Sequence, residues 1–513
     1  MKARRRRPNP CRDLERLEGR ELLSQGATPV LGGDPFANST TDNPAAQTGT
    51  LYPDSQVEPD IVVNPTQPNN VVALWQQDRW SNGGARGIVV AVSSNGGNHW
   101  TQVVLPGVSK VSGGEYDRVS NAWMSFAPDG TLYVSTIAFN LDPNYPDPFN
   151  TNGSAVYVSK STDGGYTWSA PTTIINDPNP DVAPNGDREL VFNDKDTVTA
   201  DPTRPGFAYV VWDRTVEDLA TGAFTGPAYF SMTTDGGRTW STPEAIYTPP
   251  VGAQTLDNQI VVLPDGTLVD MFSEGTLAGG SVDVIRSTDH GRTWSAPIAI
   301  TPSVDPVPIV DPDTGAAVRS ANVIPDIAVD PRTGALYVVT QQLYDLPNGP
   351  LDPGINLFTS TDGGRTWSAP VRVNQTPTNI PAADQQAFDP MVAVAADGTV
   401  AVSYDDFRNN TPAPGALTDR WIVFYRPCGF WAPPGGVTNP ANWGGEQRLT
   451  TSSFDLEQAP NIEGQTLSGY FLGDDQGLAA QGDRFLSLFT VAGTNGPGTA
   501  SIDFDRSDTP RSM

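Results

Sequence analysis

The stretch Ser161-Thr162-Asp163-Gly164-Gly165-Tyr166-Thr167-Trp168 decides the fold, because its eight-residue pattern returns four more times along the chain. The other copies run Thr233 to Trp240, Ser287 to Trp294, Ser360 to Trp367 and, with Asn95 and His99 as variants, Ser93 to Trp100. An apolar run such as Ala155-Val156-Tyr157-Val158 or Val282-Asp283-Val284-Ile285 leads into a copy, and Ser-Ala-Pro or a close variant usually leads out. Each copy therefore reads as a hairpin tip between two strands. Gly permits positive φ, the Asp side chain accepts hydrogen bonds from its own turn, and the closing Trp buries its ring against a neighbouring unit. These are staples, not catalysts.

Successive Trp residues of the five copies stand 68, 72, 54 and 73 positions apart, the period of a blade-by-blade array. The pattern Ser/Thr-x-Asp-x-Gly-x-Thr-Trp resembles the Asp box of the sialidase superfamily, which also occurs in exo-acting glucanases, sorting receptors and photosystem assembly factors. The resemblance covers roughly residues 55 to 505 and implies an all-β propeller. It implies an activity less firmly, because the boxes of that superfamily lie on the blade periphery.

A second repeat, independent of the boxes, pairs an inner strand with a more apolar one. Its instances are Asp60–Pro65 with Val71–Trp75, Ala122–Phe126 with Leu132–Ser135, Thr197–Pro202 with Ala208–Trp212, and Gln259–Val262 with Leu268–Phe272. Asp326–Pro331 with Leu336–Val339, Pro390–Val394 with Val400–Tyr404, and Gly477–Ala479 with Phe485–Phe489 complete the set. Seven units are expected, or six if the last merely completes the first. The last unit lacks a fourth strand, which the arm before Asp60 could supply, closing the ring and removing exposed edges. The expected layout is a basic leader over residues 1–28, a linker or closing arm over 29–56, the propeller over 57–505 and a tail over 506–513.

Gly (50) and Pro (48) are abundant and only 17% of residues are charged, a mixture suited to many short strands joined by tight turns. A formal charge of −27 argues against nucleic acid or an anionic membrane as partner, and no apolar run approaches the length of a membrane span. Two cysteines, Cys11 and Cys428, make neither a disulfide framework nor a metal cluster. The leader has a basic block, Arg4 to Arg7, and a Leu-Glu-Arg-Leu-Glu-Gly-Arg-Glu-Leu-Leu-Ser string resembling leaders of large exported bacterial proteins. That resemblance implies a secreted or surface-attached protein, and separately a monomer is expected.

Polar residues recur at the end of each second strand: Asp78, Arg79 and Trp80; Asp213 and Arg214; Glu274; Gln341 and Gln342; and Tyr404, Asp405, Asp406 and Arg408. The starts of inner strands add Glu58, Asp117 with Arg118, Asp187 with Arg188, Asp257, Asp326, Asp389, and Asp474 with Asp475. A ring of like blades would gather these at one mouth. The sialidase resemblance implies three arginines clamping a substrate carboxylate, a Tyr–Glu nucleophile pair and an acid/base Asp. The Phe/Tyr-Arg-Ile-Pro motif that carries the first arginine is absent, and Val57-Glu58-Pro59-Asp60-Ile61 stands where it would be.

Hydrolysis of neutral glycosides needs two carboxylates in opposite protonation states. Glu274, Asp78, Asp213 and Asp406 are the candidates, with Arg79, Trp80, Arg118, Arg214, Tyr404 and Arg408 contacting the sugar. Only two histidines, His99 and His290, are present and both lie in boxes, so neither a Ser-His-Asp triad nor zinc chemistry is available. No cofactor is expected. The stretch Asp181 to Asp196, with Asp187, Glu189 and Asp194, offers oxygen ligands of the kind calcium takes, with a solvated loop as the alternative. The expectation is a propeller that recognises or trims glycans from an end; a noncatalytic glycan- or protein-binding scaffold is the rival.

Overall fold

The computed structural model describes residues 26–508, apart from residue 31 and the segments 142–150, 179–180, 183–185, 187, 277–278, 305–307, 321–323, 346–350, 414, 428–434 and 464–467. The leader up to residue 25 and both cysteines lie outside the described residues. Among the described residues the regular structure is β-strand with a few short 3-10 turns, and no helix is long and apolar enough to cross a membrane. The all-β expectation holds.

The strands form successive antiparallel meanders. The first unit runs Leu51–Val63, Val71–Trp80, Ala85–Ser93 and Thr101–Val104, and the second Arg118–Phe126, Leu132–Leu141, Thr151–Ser161 and Thr172–Asp177. The third and fourth open with inner strands Arg188–Ala200 and Gln254–Val262, the fifth and sixth with Asp326–Val329 and Ala387–Val394. A final meander, Gly477–Gln481, Arg484–Ala492 and Ala500–Asp508, takes its outer strand from the other end of the chain: Thr28 and Pro29 pair with Phe504 and Asp503. The arm thus joins the two ends, as a closed propeller needs. The first inner strand begins at Leu51, inside the stretch read as linker, because two register irregularities carry the ladder past Asp60.

The core is divided among the seams. One apolar cluster joins Val72, Leu74 and Val90 of the first unit to Met124 and Val134 of the second; another joins Ile61, Ala73 and Trp75 to Leu486, Leu488 and Ile502 of the last. The other clusters likewise draw on consecutive units. This follows from sequence: second strands such as Val71-Val72-Ala73-Leu74-Trp75 are apolar on both faces, as strands packed on both sides must be.

The boxes bolt the seams from outside. Asp163 Oδ1 accepts from Thr167 N at 2.9 Å, its Oδ2 from the Thr167 hydroxyl at 2.6 Å, and Ser161 Oγ accepts from Gly165 N at 2.9 Å. Asp235, Asp289 and Asp362 repeat the pattern. Hydrogen bonds from Thr293 and Thr366 hold the carboxyls of Asp289 and Asp362 down at about 2. The box Trp rings lie on the preceding unit: Trp240 on Tyr133, Trp294 on Phe230, and Trp100 across the closure on Phe504 at 5.3 Å.

Candidate functional site

A single backbone device, repeated around the axis, builds the mouth. Each of five inner strands carries a bulge whose extra residue is left-handed although it is not glycine: Glu58 (φ 52°), Asn121 (50°), Lys195 (47°), Asp257 (60°) and Asp389 (50°). Such residues cost on the order of 1–3 kcal/mol each and persist only where the surroundings dictate them. Here the neighbouring unit does so. Asp257 N donates to Asp213 Oδ2 at 2.9 Å, Asp389 N to Gln341 Oε1 at 2.9 Å, and Glu58 N to Leu472 O at 3.3 Å. A bulge turns its side chain out of the ladder, here towards the axis.

Glu58, Asn121, Lys195 and Asp257 meet Asp475 and Trp123 around a void of about 20 Å³, room for a water-sized guest. Lys195 Nζ donates to Asp474 Oδ2 at 2.9 Å and lies 3.9 Å from Asp475. Arg319 grips Asp474 with Nε at 3.0 Å and Nη2 at 2.7 Å. Arg79 and Arg319 also flank Phe471, at 4.8 and 5.2 Å from its ring centre.

The carboxyls of this basin are driven apart. Burial pushes Asp474 up, but Arg319 and Lys195 override it and hold the group ionised, below the usual carboxylate range. Burial, reinforced by Asp475, raises Asp257 well above that range despite Lys195. Asp475 is pushed up to about 6, burial outweighing Lys195. Burial thus raises two of these carboxyls while ion pairs hold a third low, the kind of contrast that acid–base chemistry uses.

The BNR/Asp-box repeat profile matches residues 358–369. Five such boxes stand on the seams of successive meanders joined end to end. The chain is an all-β propeller carrying BNR/Asp-box repeats. A Paenibacillus sp. xyloglucanase is 24% identical over 275 residues, which are 52% of this chain and 23% of that protein; the matched stretch is therefore about a quarter of that relative's length. Among solved structures, an α-L-arabinofuranosidase of Fusarium graminearum is 14% identical, with 76% of this chain and 93% of that one covered and a TM-score of 0.41. The Trypanosoma rangeli sialidase is 15% identical, covering 69% and 53%, with a TM-score of 0.41.

The residues singled out at the ends of second strands go mainly to the seams of the propeller. Asp78 is fully buried, takes Asp54 N on Oδ1 at 2.9 Å and pairs with Arg86 at 3.0 Å. Asp213 receives Asp257 N, the Thr255 hydroxyl and the Asn258 amide, so it sets the next bulge and does not itself face the basin. Trp80 is 2% exposed and Arg118 covers its ring at 4.5 Å, which leaves no free face for a sugar. Arg118 is itself spent on Gln47, Asn82, Gly83 and Thr48, and Arg214 forms a two-pronged pair with Asp177 at 2.9 Å.

Two groups do assemble away from the basin. Tyr404, Asp406 and Arg408 meet in the seam of the fifth and sixth units: Arg408 donates to Asp406 at 2.7 Å and to Tyr404 at 3.2 Å, and lies over Trp421. Glu446, which sequence reasoning missed, completes that group as a second partner of Arg408, and burial pushes its carboxyl up to about 7. Glu274 is half-buried and accepts the Tyr247 hydroxyl at 2.5 Å, a tyrosine–glutamate pair bridging the third and fourth units.

Of the ten candidates only Arg79 reaches the basin. Glu58, Asp257, Asp474 and Asp475, noted at inner-strand starts, reach it too, whereas Asn121, Lys195, Arg319 and Phe471 were not foreseen. Of the acidic stretch considered for calcium, Asp196 is buried and Asp194 half-buried in an inner strand, with Asp194 Oδ1 accepting from Asn121 and Lys195 N, and the Asp187 side chain lies outside the described residues. Among the described residues the acidic side chains that bring three oxygens within 4.8 Å of one another are instead Asp311, Asp313 and Glu457.

Proposed function

We propose that the propeller is an exported glycoside hydrolase that trims a neutral glycan from a chain end at the mouth above this basin. The observation that carries the reading is the convergence of Asp257 and Asp475 on one void, with Lys195 3.9 Å from Asp475; burial raises Asp257, while Arg319 and Lys195 hold Asp474 low. In this reading Asp257 protonates the leaving oxygen and Asp475, poised at about 6, is the base or nucleophile on the opposite side. A neutral substrate is preferred to a sialoside because the arginines at hand are already engaged. Arg319 holds Asp474, while Arg79 donates to Gln76 and Ser120. The name of the Paenibacillus relative fits the same class. Export rests on the likeness of the leader to those of exported bacterial proteins.

The test is a screen of the purified protein against chromogenic glucosides, xylosides and sialosides and against xyloglucan, with Asp257→Asn and Asp475→Asn alongside. Turnover of a neutral substrate, lost at least a hundredfold in both variants with binding retained, is expected. Turnover of sialosides alone, or full activity in Asp257→Asn, would refute the assignment. The water-sized void favours a second reading, a glycan-binding scaffold; saturable binding with no turnover of any substrate would select it.

A further inference from the structure

The other end of the axis carries a site of different chemistry. On the face opposite the bulges, where the inner strands turn at Pro65, Pro128 and Pro202, a shaft of about 440 Å³ runs inward along the axis. Apolar groups make up somewhat more than half of its walls, with the half-exposed Val62 and Leu478 among them and Ser125 beside them. Two carboxylates, Asp60 and Asp326, line it, and Asp60 also borders the basin void, so these acids sit towards its inner end.

Each of the two acids is held rigidly. Asp60 accepts from Ile61 N at 2.7 Å and from Met124 N of the next unit at 2.8 Å. Asp326 accepts from its own neighbour, Ile327 N, at 2.9 Å and from Val392 N of the next unit at 2.7 Å. Neither forms an ion pair among the described residues, and Lys195 is committed to Asp474 on the basin side. Every carboxylate oxygen keeps a lone pair for a further donor. Burial and the nearby Asp475 push Asp60 up to about 7 and Asp326 up to about 8, so each acid ionises near neutrality only when a cation lies against it.

We propose that this shaft binds a primary alkylammonium group, its chain along the apolar part of the wall and its NH₃⁺ donating to Asp60 and Asp326. An ammonium has three donors and no acceptor, which suits two fixed acceptor groups. Its methylenes suit the wall, each gaining about 0.8 kcal/mol on burial. A carboxylate-bearing guest gains nothing from the two acids and is repelled once either ionises, and an alcohol brings no counter-charge to draw them into the ionised form. The overall charge of −27 draws cations to either mouth.

The experiment is calorimetric titration of the intact protein with n-hexylammonium, n-hexanol and hexanoate. Saturable one-to-one binding of the ammonium is expected, with hexanol at least tenfold weaker and hexanoate silent. Asp60→Asn with Asp326→Asn should weaken the ammonium tenfold or more. Should that pair fail to fold, Leu478→Trp and Val62→Trp, which fill the shaft and leave both acids, should each abolish binding in protein whose circular dichroism is unchanged. N-acetyl-lysine methylamide distinguishes the source: binding as tight as hexylammonium points to a lysine side chain, and much weaker binding to a free amine. Hexanol binding as tightly as hexylammonium, persistence of binding in the folded Trp variants, or no saturable ammonium binding at millimolar concentration would overturn the site.

Discussion

Asp270→Val is expected to stabilise the protein by an amount that grows with pH. Asp270 lies on the second strand of the fourth unit, fully buried and paired in the ladder with Ile260 and Ile285, and among the described residues neither carboxyl oxygen has a hydrogen-bond partner. Ile260 is the third residue after the Asp257 bulge. The residues paired with the same position in four other units are Ala73, Val134, Val210 and Val402, so valine is a shape this place already accepts. Burial raises the Asp270 carboxyl well above its ordinary value. The folded pKa then exceeds the unfolded one, and stability present below the unfolded value is lost as pH rises towards the folded value, at about 1.4 kcal/mol per pH unit. Valine carries no such loss. The unpaired carboxyl costs roughly 1–3 kcal/mol even when neutral, so the gain should be about 2 kcal/mol near the unfolded pKa and widen by up to about 1.4 kcal/mol per pH unit until the folded pKa is passed. Unfolding entropy of about 2.1 cal/mol/K per residue makes roughly 1 kcal/mol/K for a ring of this size, so the rise in Tm is only a few degrees. Scanning calorimetry and urea midpoints at both pH values measure it. A lower Tm at pH 7, or a larger gain at pH 5, would refute the reasoning.

Two further substitutions probe the closure and the boxes. Arg86→Met should cost about 3–5 kcal/mol in denaturant midpoint, because it strands the buried carboxylates of Asp42 and Asp78; limited proteolysis should then cut first between residues 30 and 50, the arm that Asp42 fastens. Gly291→Ala should cost about 2–4 kcal/mol, since a Cβ there lies 2.5 Å from Phe230 Cζ and the backbone is at φ +85°; an unchanged Tm would show that the box does not clamp its neighbour.

The array was legible because its signals are local. Asp163, Gly165, Thr167 and Trp168 specify a hairpin tip within eight residues, and Val71 to Trp75 declare a strand buried on both faces. The candidate site was legible by position but not by direction. Asp78, Asp213 and Asp406 stand at strand ends, as expected, but their side chains turn into the seams, where Arg86, the Asp257 amide and Arg408 claim them. Which way a strand-end side chain turns depends on the twist and on the neighbouring unit, neither of which is written locally. Lys195 and Asn121 escaped notice because a bulge shifts the alternation by one, and residues expected to face a seam face the axis instead. Arg319 and Phe471 lie outside the repeat altogether and join the basin only through the fold.

The repeated left-handed bulge has a consequence for how such a protein changes over time. Where the amides of Asp257 and Asp389 are gripped by the side chain of the adjacent unit, the backbone there is held from outside, whatever the bulge residue itself presents. The five left-handed bulges already hold two aspartates, a glutamate, an amide and an amine. Swapping their occupants rewrites the chemistry at the axis and leaves the packing that sustains the ring almost untouched. A combinatorial library confined to those positions would explore new specificities on one unchanged chassis.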